Sequence, residues 1–249
     1  MFSKLFSKLQ RVGQSFMIPI AVLPVAGLLM GIGQSFINET MIQTYHLQFI
    51  LGKGTPLYAL FTIMCNAGKI VFDNLPALFA VGIAMGMAKH EKATAAFSAL
   101  VSFLVMHASI NALLTINGFI VDGKVADFVR LGTINTICGI QSLDTGVFGG
   151  IVVGLGVAYL HNRFYMTRLP DYLSFFAGTR FVPVICCVTF VFVGILFFYI
   201  WPPIQEAIYH LGVLIRDSSY AGIFVFGLVK RMLIPFGLHH VFYLPFWQT

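Results

Sequence analysis

ATAAFSALVSFLVMHASINALLTINGFI, residues 93–120, runs without a single charge from Lys92 to Asp122. A bilayer core of about 30 Å takes roughly 20 apolar residues in an α-helix, so this stretch is long enough to cross with some tilt. Its one interior ionisable group, His107, sits near the middle. The reading of this run decides the rest, because runs of the same kind recur along the chain. Fifty-eight per cent of the 249 residues are hydrophobic, 15% aromatic and only 10% charged, too little polar surface for a water-soluble globule of this size.

Working outward, residues 14–36, QSFMIPIAVLPVAGLLMGIGQSF, form a first span, which Pro19 and Pro24 are expected to kink or interrupt. Residues 57–88 are divided by KIVFDNLP at 69–76, which predicts a short helix over 57–70 and a second span over 72–88. Residues 93–120 are the third span. A fourth covers 145–160, entered through QSLDTG with Asp144 as helix N-cap, and a fifth covers 181–201. After a polar stretch at 202–218, residues 219–247 begin a sixth unit, broken at Pro235 and Gly237. The expected fold is an all-α, polytopic membrane helix bundle of about six spans.

Lys and Arg set the orientation, since cytoplasmic loops carry their excess. With 1–13, 89–92 and 161–180 inside, that side holds Lys4, Lys8, Arg11, Lys89, Lys92, Arg163, Arg168 and Arg180 against Glu91 and Asp171. The other side holds Lys53, Lys124, Arg130 and Arg216 against Glu39, Asp122, Asp127, Glu206 and Asp217. An N-in topology follows. The net charge of +6 thus reads as positive-inside asymmetry, and nucleic-acid binding is not expected. MFSKLFSKLQRVG, residues 1–13, has no cleavable-signal pattern. It places Phe2, Leu5, Phe6, Leu9 and Val12 on one helical face and Lys4, Lys8 and Arg11 on the other, an amphipathic helix for the lipid surface.

Cys65, Cys138, Cys186 and Cys187 have no CxxC spacing, so neither a metal site nor a disulfide framework is expected. Small residues repeat every four positions at Gly27/Gly31, Gly82/Gly86 and Gly146/Gly150/Gly154. They allow close helix contact, within one bundle first and across a homodimer as the alternative. Ionisable groups at membrane depth are costly and mark sites by default. His107 reads as a structural donor, and Lys69 with Asp73 as an i,i+4 pair. Lys230, Arg231, His239 and His240 are different. They cluster around the Pro235/Gly237 break, and a broken membrane helix exposes groups to a substrate. Arginine offers a fixed fork of donors for hydroxyls or phosphate, and histidine donates, accepts or relays a proton. Adjacent histidines on a helix point about 100° apart, so a shared metal site is not expected.

RMLIPFGLHH (231–240), SLDTGVFGGI (142–151) and LHNRFYMTRLPDYLSFFAGTRFVPV (160–184) resemble the membrane-embedded IIC component of the bacterial phosphoenolpyruvate-dependent sugar phosphotransferase system, in its glucose superfamily. MIPIAVLPVAGLLMGIG (17–33) and VFDNLPALFAVGIAMGMAK (71–89) extend the likeness over nearly the whole chain. The resemblance implies a homodimeric permease of the inner membrane that binds glucose, maltose or a related glucoside and presents it to a phosphocysteine on a IIB domain, itself served by IIA. It implies Arg231 and His239 as sugar contacts, with His240 beside them, and an aromatic face such as Phe236 or Tyr243 is expected against the ring. It also implies a scaffold and dimerisation domain over 14–201 and the start of a transport domain over 202–249, with no cofactor. No GITEP-type motif and no CxTRLR context for a phosphorylated cysteine occur in the sequence. The expectation is therefore an N-terminal portion, incomplete relative to the family, that alone neither transports nor phosphorylates. A non-transporting scaffold half and one half of a split transporter are the alternatives.

Overall fold

The computed structural model describes residues 10–130, 132–217, 224, 227, 228 and 231. The chain divides into two compact units, Met17–Leu75 and a larger one formed by the residues before Met17 together with those from Pro76 onward.

In the smaller unit, α1 (Met17–Ile37) lies along α4 (Pro56–Asp73), with α2 (Glu39–Thr44) and α3 (Gln48–Leu51) between them. Glycine decides how close α1 and α4 come. A Cβ on Gly33 would sit 2.6 Å from the Cys65 amide nitrogen, and one on Gly68 2.5 Å from the Ala26 carbonyl oxygen, so backbone meets backbone as small residues permit. Phe36 stacks on Phe61 at 4.5 Å nearby. Sequence spacing pointed to Gly27 and Gly31 instead, but a Cβ on Gly31 would meet nothing within 4 Å. Asn38 caps α2 by accepting from the Thr40 and Met41 amides at 2.9 and 3.3 Å. Thr55 caps α4, accepting from Tyr58 at 3.2 Å, with Pro56 at the first helical position, where a missing N–H costs nothing. Glu39 and Lys53 form an ion pair across this connection. Lys69 and Asp73 do not.

α4 ends where the sequence divides the run. Asn74 returns its side-chain amide to the Ile70 carbonyl at 2.8 Å. Pro76 two residues on has no N–H for the Phe72 carbonyl and a ring that crowds it. α5 (Leu75–Met87) starts afresh. Its 13 residues reach only about 20 Å. The span expected at 72–88 therefore crosses a bilayer only if α4 and α5 together count as one broken span. Among the described residues, four helical stretches are long and apolar enough to cross: Gln10–Ile37, Lys92–Ile116, Gly146–Phe164 and Gly178–Ala207, or five with the broken pair. Of the two prolines expected to interrupt the first, Pro19 follows a turn at Phe16, whose amide reaches Gly13 at 3.2 Å, whereas Pro24 lies inside α1 without ending it. The amphipathic helix expected over 1–13 and the sixth unit lie largely outside the described residues.

The larger unit is built around α6 (Lys92–Ile116). Ala95, Ser98, Ala99, Ser102, Phe103, Met106, His107, Ile110 and Leu114 are its buried residues, three to four apart and so on one side. The buried hydroxyls satisfy themselves within the helix, Ser98 donating to Thr94 at 2.7 Å and Ser102 to Ser98 at 2.6 Å, as serine does in apolar surroundings. α7 (Gly146–Phe164) lies against α5 through two of the expected glycines. A Cβ on Gly150 would fall 2.1 Å from the Pro76 oxygen, and one on Gly154 2.7 Å from the Ile83 side chain. Those glycines therefore pack within one bundle. Gly86 makes room for the buried Ser15 in the same way.

The all-α class stands, while two details depart from the expected elements. Between α6 and α7 stand two short antiparallel hairpins, β1–β2 (Ile120–Val121, Lys124–Val125) and β3–β4 (Ile134–Ile137, Ile140–Leu143). Both turns, Asp122-Gly123 and Cys138-Gly139, have positive φ at each central residue, the twist that two-residue hairpins require. The other departure is α8 (Phe181–Asp217), expected to stop at 201 but 37 residues long, with Pro202 and Pro203 inside it. Proline's fixed φ is itself helical, so the pair removes two donors without ending the helix.

Candidate functional site

Of the residues expected to bind a ligand, Arg231 is helical and exposed. Phe236, His239 and His240 lie outside the described residues. What the structure assembles instead are two polar clusters at opposite ends of the α6–α7 pair.

The first surrounds β4. His107, fully buried on α6, meets Ser142 with Nδ1 and Oγ 2.8 Å apart, and its ring lies edge-on to Phe103 at 4.5 Å. One turn along, Asn111 donates to the Gln141 carbonyl at 2.7 Å, and Gln141 donates to the Gly123 carbonyl at 2.9 Å. Asp144 does not itself occupy the cap position of α7, which belongs to Thr145. Its Oδ1 nevertheless accepts from the Gly146 amide at 3.0 Å, so the carboxylate faces the positive end of the helix. The Asp144 carbonyl takes the indole N–H of Trp201 at 2.9 Å. Beyond the proline pair, Gln205 donates to Gly132 at 3.1 Å. Helix α6, the hairpin, the start of α7 and α8 are thus tied by side chains that each serve a backbone group or a buried hydroxyl, which is what burial of polar atoms demands. His107 thus joins α6 to β4 through Ser142. Its Nε2 and the Thr145 hydroxyl have no protein partner among the described residues.

The second cluster closes the other end. His161, buried on α7, donates from Nε2 to the His90 carbonyl at 2.7 Å, because a carbonyl can only accept. Asn162 accepts from the Lys89 amide at 2.9 Å and donates to the Met87 carbonyl at 3.1 Å. Tyr165 stacks on both His90 and His161, with centroids at 5.3 and 5.8 Å. The pair His161-Asn162 thereby holds the turn between α5 and α6, where Glu91 adopts a left-handed φ of 46°. Single-sequence reasoning noted this segment for its charge and missed the latch. The available signal was a histidine and an asparagine side by side in the last turn of a span, ahead of Arg163. Lys89, Lys92, Arg163, Arg168 and Arg180 are all exposed at this end.

The serine–histidine contact of the first cluster, Ser142 with His107, is fully buried, and no group of three or more His, Cys, Asp or Glu suited to a metal occurs among the described residues. The chemistry of both clusters is positional. They fix the ends of α6 and α7.

Comparison with known proteins supplies the remaining findings. A family model described as "Phosphotransferase system, EIIC" matches residues 13–249. The "PTS system glucose-specific EIICBA component" of Staphylococcus saprophyticus is 42% identical over 248 residues, covering 99% of this chain and 35% of that protein. The chain spans about a third of the length of this relative.

Proposed function

Because the chain belongs to the phosphotransferase system EIIC family, we propose that it is the sugar-binding membrane portion of a phosphotransferase permease, with glucose as substrate. The 42% identity maintained along 99% of the chain to a protein named as glucose-specific carries this reading. At that similarity the helices and their connecting segments are expected to correspond throughout.

In this reading residues 14–201 form the scaffold and dimerisation part, and 202–249 contribute to the sugar site. Arg231 supplies a planar fork of donors to sugar hydroxyls, His239 and His240 supply groups that donate or accept, and Phe236 covers a ring face. The sugar enters from outside and is presented to the IIB domain, where its hydroxyl takes the phosphoryl group from a cysteine and gives up a proton. The IIB and IIA partners correspond to the B and A of the relative's name. The N-in orientation places Lys89, Lys92, Arg163, Arg168 and Arg180 on the side where those domains work.

The test uses membranes carrying the native product of this gene, from a host deleted for its own glucose uptake, supplied with the soluble phosphotransfer proteins and phosphoenolpyruvate. Glucose 6-phosphate should form and be competed by a non-metabolised glucoside, with Arg231→Gln lowering kcat/KM at least tenfold, about the 1.4 kcal/mol of one hydrogen bond to a charged donor. Phosphorylation of maltose or another glucoside in preference to glucose refutes the substrate. No phosphorylation of any sugar, with the protein folded in the membrane, refutes the permease reading.

A further inference from the structure

Residues 165–180 join α7 to α8, and they fold back onto the helix ends. Thr167 donates its amide to Phe164 at 3.0 Å, and Gly178 donates to Thr167 at 2.9 Å. Gly178 has a φ of 68°, which glycine adopts without penalty. Phe164 and Phe181, the flanking ends of the two spans, meet edge-to-face at 6.2 Å. Short 3₁₀ turns at Asp171–Phe176 and Gly178–Arg180 complete the segment. It is therefore held at the level where two membrane helices begin and end.

Its outward surface is apolar and aromatic. Met166 is 75% exposed, Tyr172 83% and Phe175 69%, with Phe176 also exposed. A soluble surface seldom groups such residues, whereas aromatic rings concentrate at the membrane–water boundary. The charge is one-sided as well, since Arg163, Arg168 and Arg180 face the single acid Asp171. One arginine is already placed. The Arg180 guanidinium stands 5.1 Å over the Phe175 ring and donates to the Phe175 carbonyl at 3.4 Å. Its fork carries further donors beyond this one. The segment also runs directly into α8, where Val184, Val188 and Phe192, at four-residue steps from Arg180, are exposed as lipid-facing residues of a span must be.

We propose that residues 165–180 are a membrane-interface anchor seated in the headgroup layer of an anionic phospholipid bilayer. Tyr172, Phe175 and Phe176 reach the first acyl carbons, and Arg168 and Arg180 meet lipid phosphates. Continuity with the lipid-facing side of α8 selects the bilayer as occupant, and the basic excess selects anionic lipid.

The test places Tyr172→Trp and Phe175→Trp variants of the full chain in nanodiscs, reading the emission added to that of Trp201 and Trp247. Lipids brominated near the headgroup end of the acyl chain should quench the new tryptophan more than lipids brominated near its terminus. Brominated phosphatidylglycerol should quench it in preference to brominated phosphatidylcholine. Arg180→Gln should lower that preference about fivefold, the weight of one basic residue at an anionic surface. Water-like emission from both variants, unquenched at either depth, overturns the proposal. Loss of the phosphatidylglycerol preference in excess inorganic phosphate overturns it in favour of a free-anion site. A blue shift that appears only when a soluble protein is added overturns it in favour of protein docking.

Discussion

Replacing Gly150 by alanine tests a close helix contact in the larger unit. A Cβ there would sit 2.1 Å from the Pro76 oxygen, 2.9 Å from its carbonyl carbon and 3.2 Å from its Cα, all backbone atoms without a rotamer to change. Ordinary contact begins near 3.4 Å, so α7 and the start of α5 must part by about 1 Å. A gap of that size forfeits a quarter to a half of the dispersion energy of each contact it opens, and overpacking a close interface costs about 1–3 kcal/mol. Alanine returns about 1 kcal/mol of helix propensity. A net loss of about 1 kcal/mol corresponds to a midpoint lower by about 2–4 °C for a chain of this length. The assay is thermal unfolding of purified protein in detergent, followed by tryptophan emission and by the monodisperse fraction on size exclusion. Gly31→Ala is the control, since its added Cβ meets nothing within 4 Å, and it should leave the midpoint unchanged or raise it. If Gly150→Ala unfolds with the parent, or if the two alanine variants behave alike, close backbone approach is not what these glycines provide.

Three further outcomes are expected. Trp201→Phe removes the 2.9 Å indole donation to Asp144 while keeping a ring against Phe197. It should cost about 1 kcal/mol, with Trp201→Leu costing more in the same melt. Asn162→Ala frees the Lys89 amide and the Met87 carbonyl and should speed trypsin cleavage after Lys89 or Lys92 severalfold, read as fragment appearance in detergent. In the Glu39–Lys53 pair, hydrogen bonding to Lys53 holds the Glu39 carboxyl below its ordinary 4.5, and the same bond to Glu39 holds the Lys53 ammonium above its ordinary 10.5. The pair's contribution is thus fully present between those ordinary values. It is lost as pH falls through the lowered Glu39 pKa or rises through the raised Lys53 pKa. Lys53→Met should return the Glu39 titration, followed by carbon NMR of labelled glutamate, towards the ordinary value, and an unmoved curve refutes the pairing.

The sequence by itself determined the solvent and the kind of element. Uncharged runs the length of a bilayer can satisfy their backbone groups there only as helices, so 93–120, 145–160 and the beginning of 181–201 were legible from hydropathy alone. The break at Asn74 was legible from Pro76. The Asp122-Gly123 turn carried a hairpin signal that went unread, and Cys138-Gly139 carried a weaker one because cysteine is not a usual turn residue. Of the expected sugar site, Arg231, His239 and His240 could be singled out because polar groups clustered around Pro235 and Gly237 in an apolar run are locally conspicuous. Tertiary structure decided what depends on residues far apart in the chain. His107 finds Ser142 35 residues on, Trp201 finds Asp144 across 57, and Asn162 finds the Lys89 amide across 73. Likewise Gly33 and Gly68 matter because they lie where two helices cross, which the Gly27/Gly31 spacing could not reveal. Periodicity is a property of one helix; which carbonyl a glycine makes room for, and which backbone group a buried polar side chain satisfies, is a property of its neighbour.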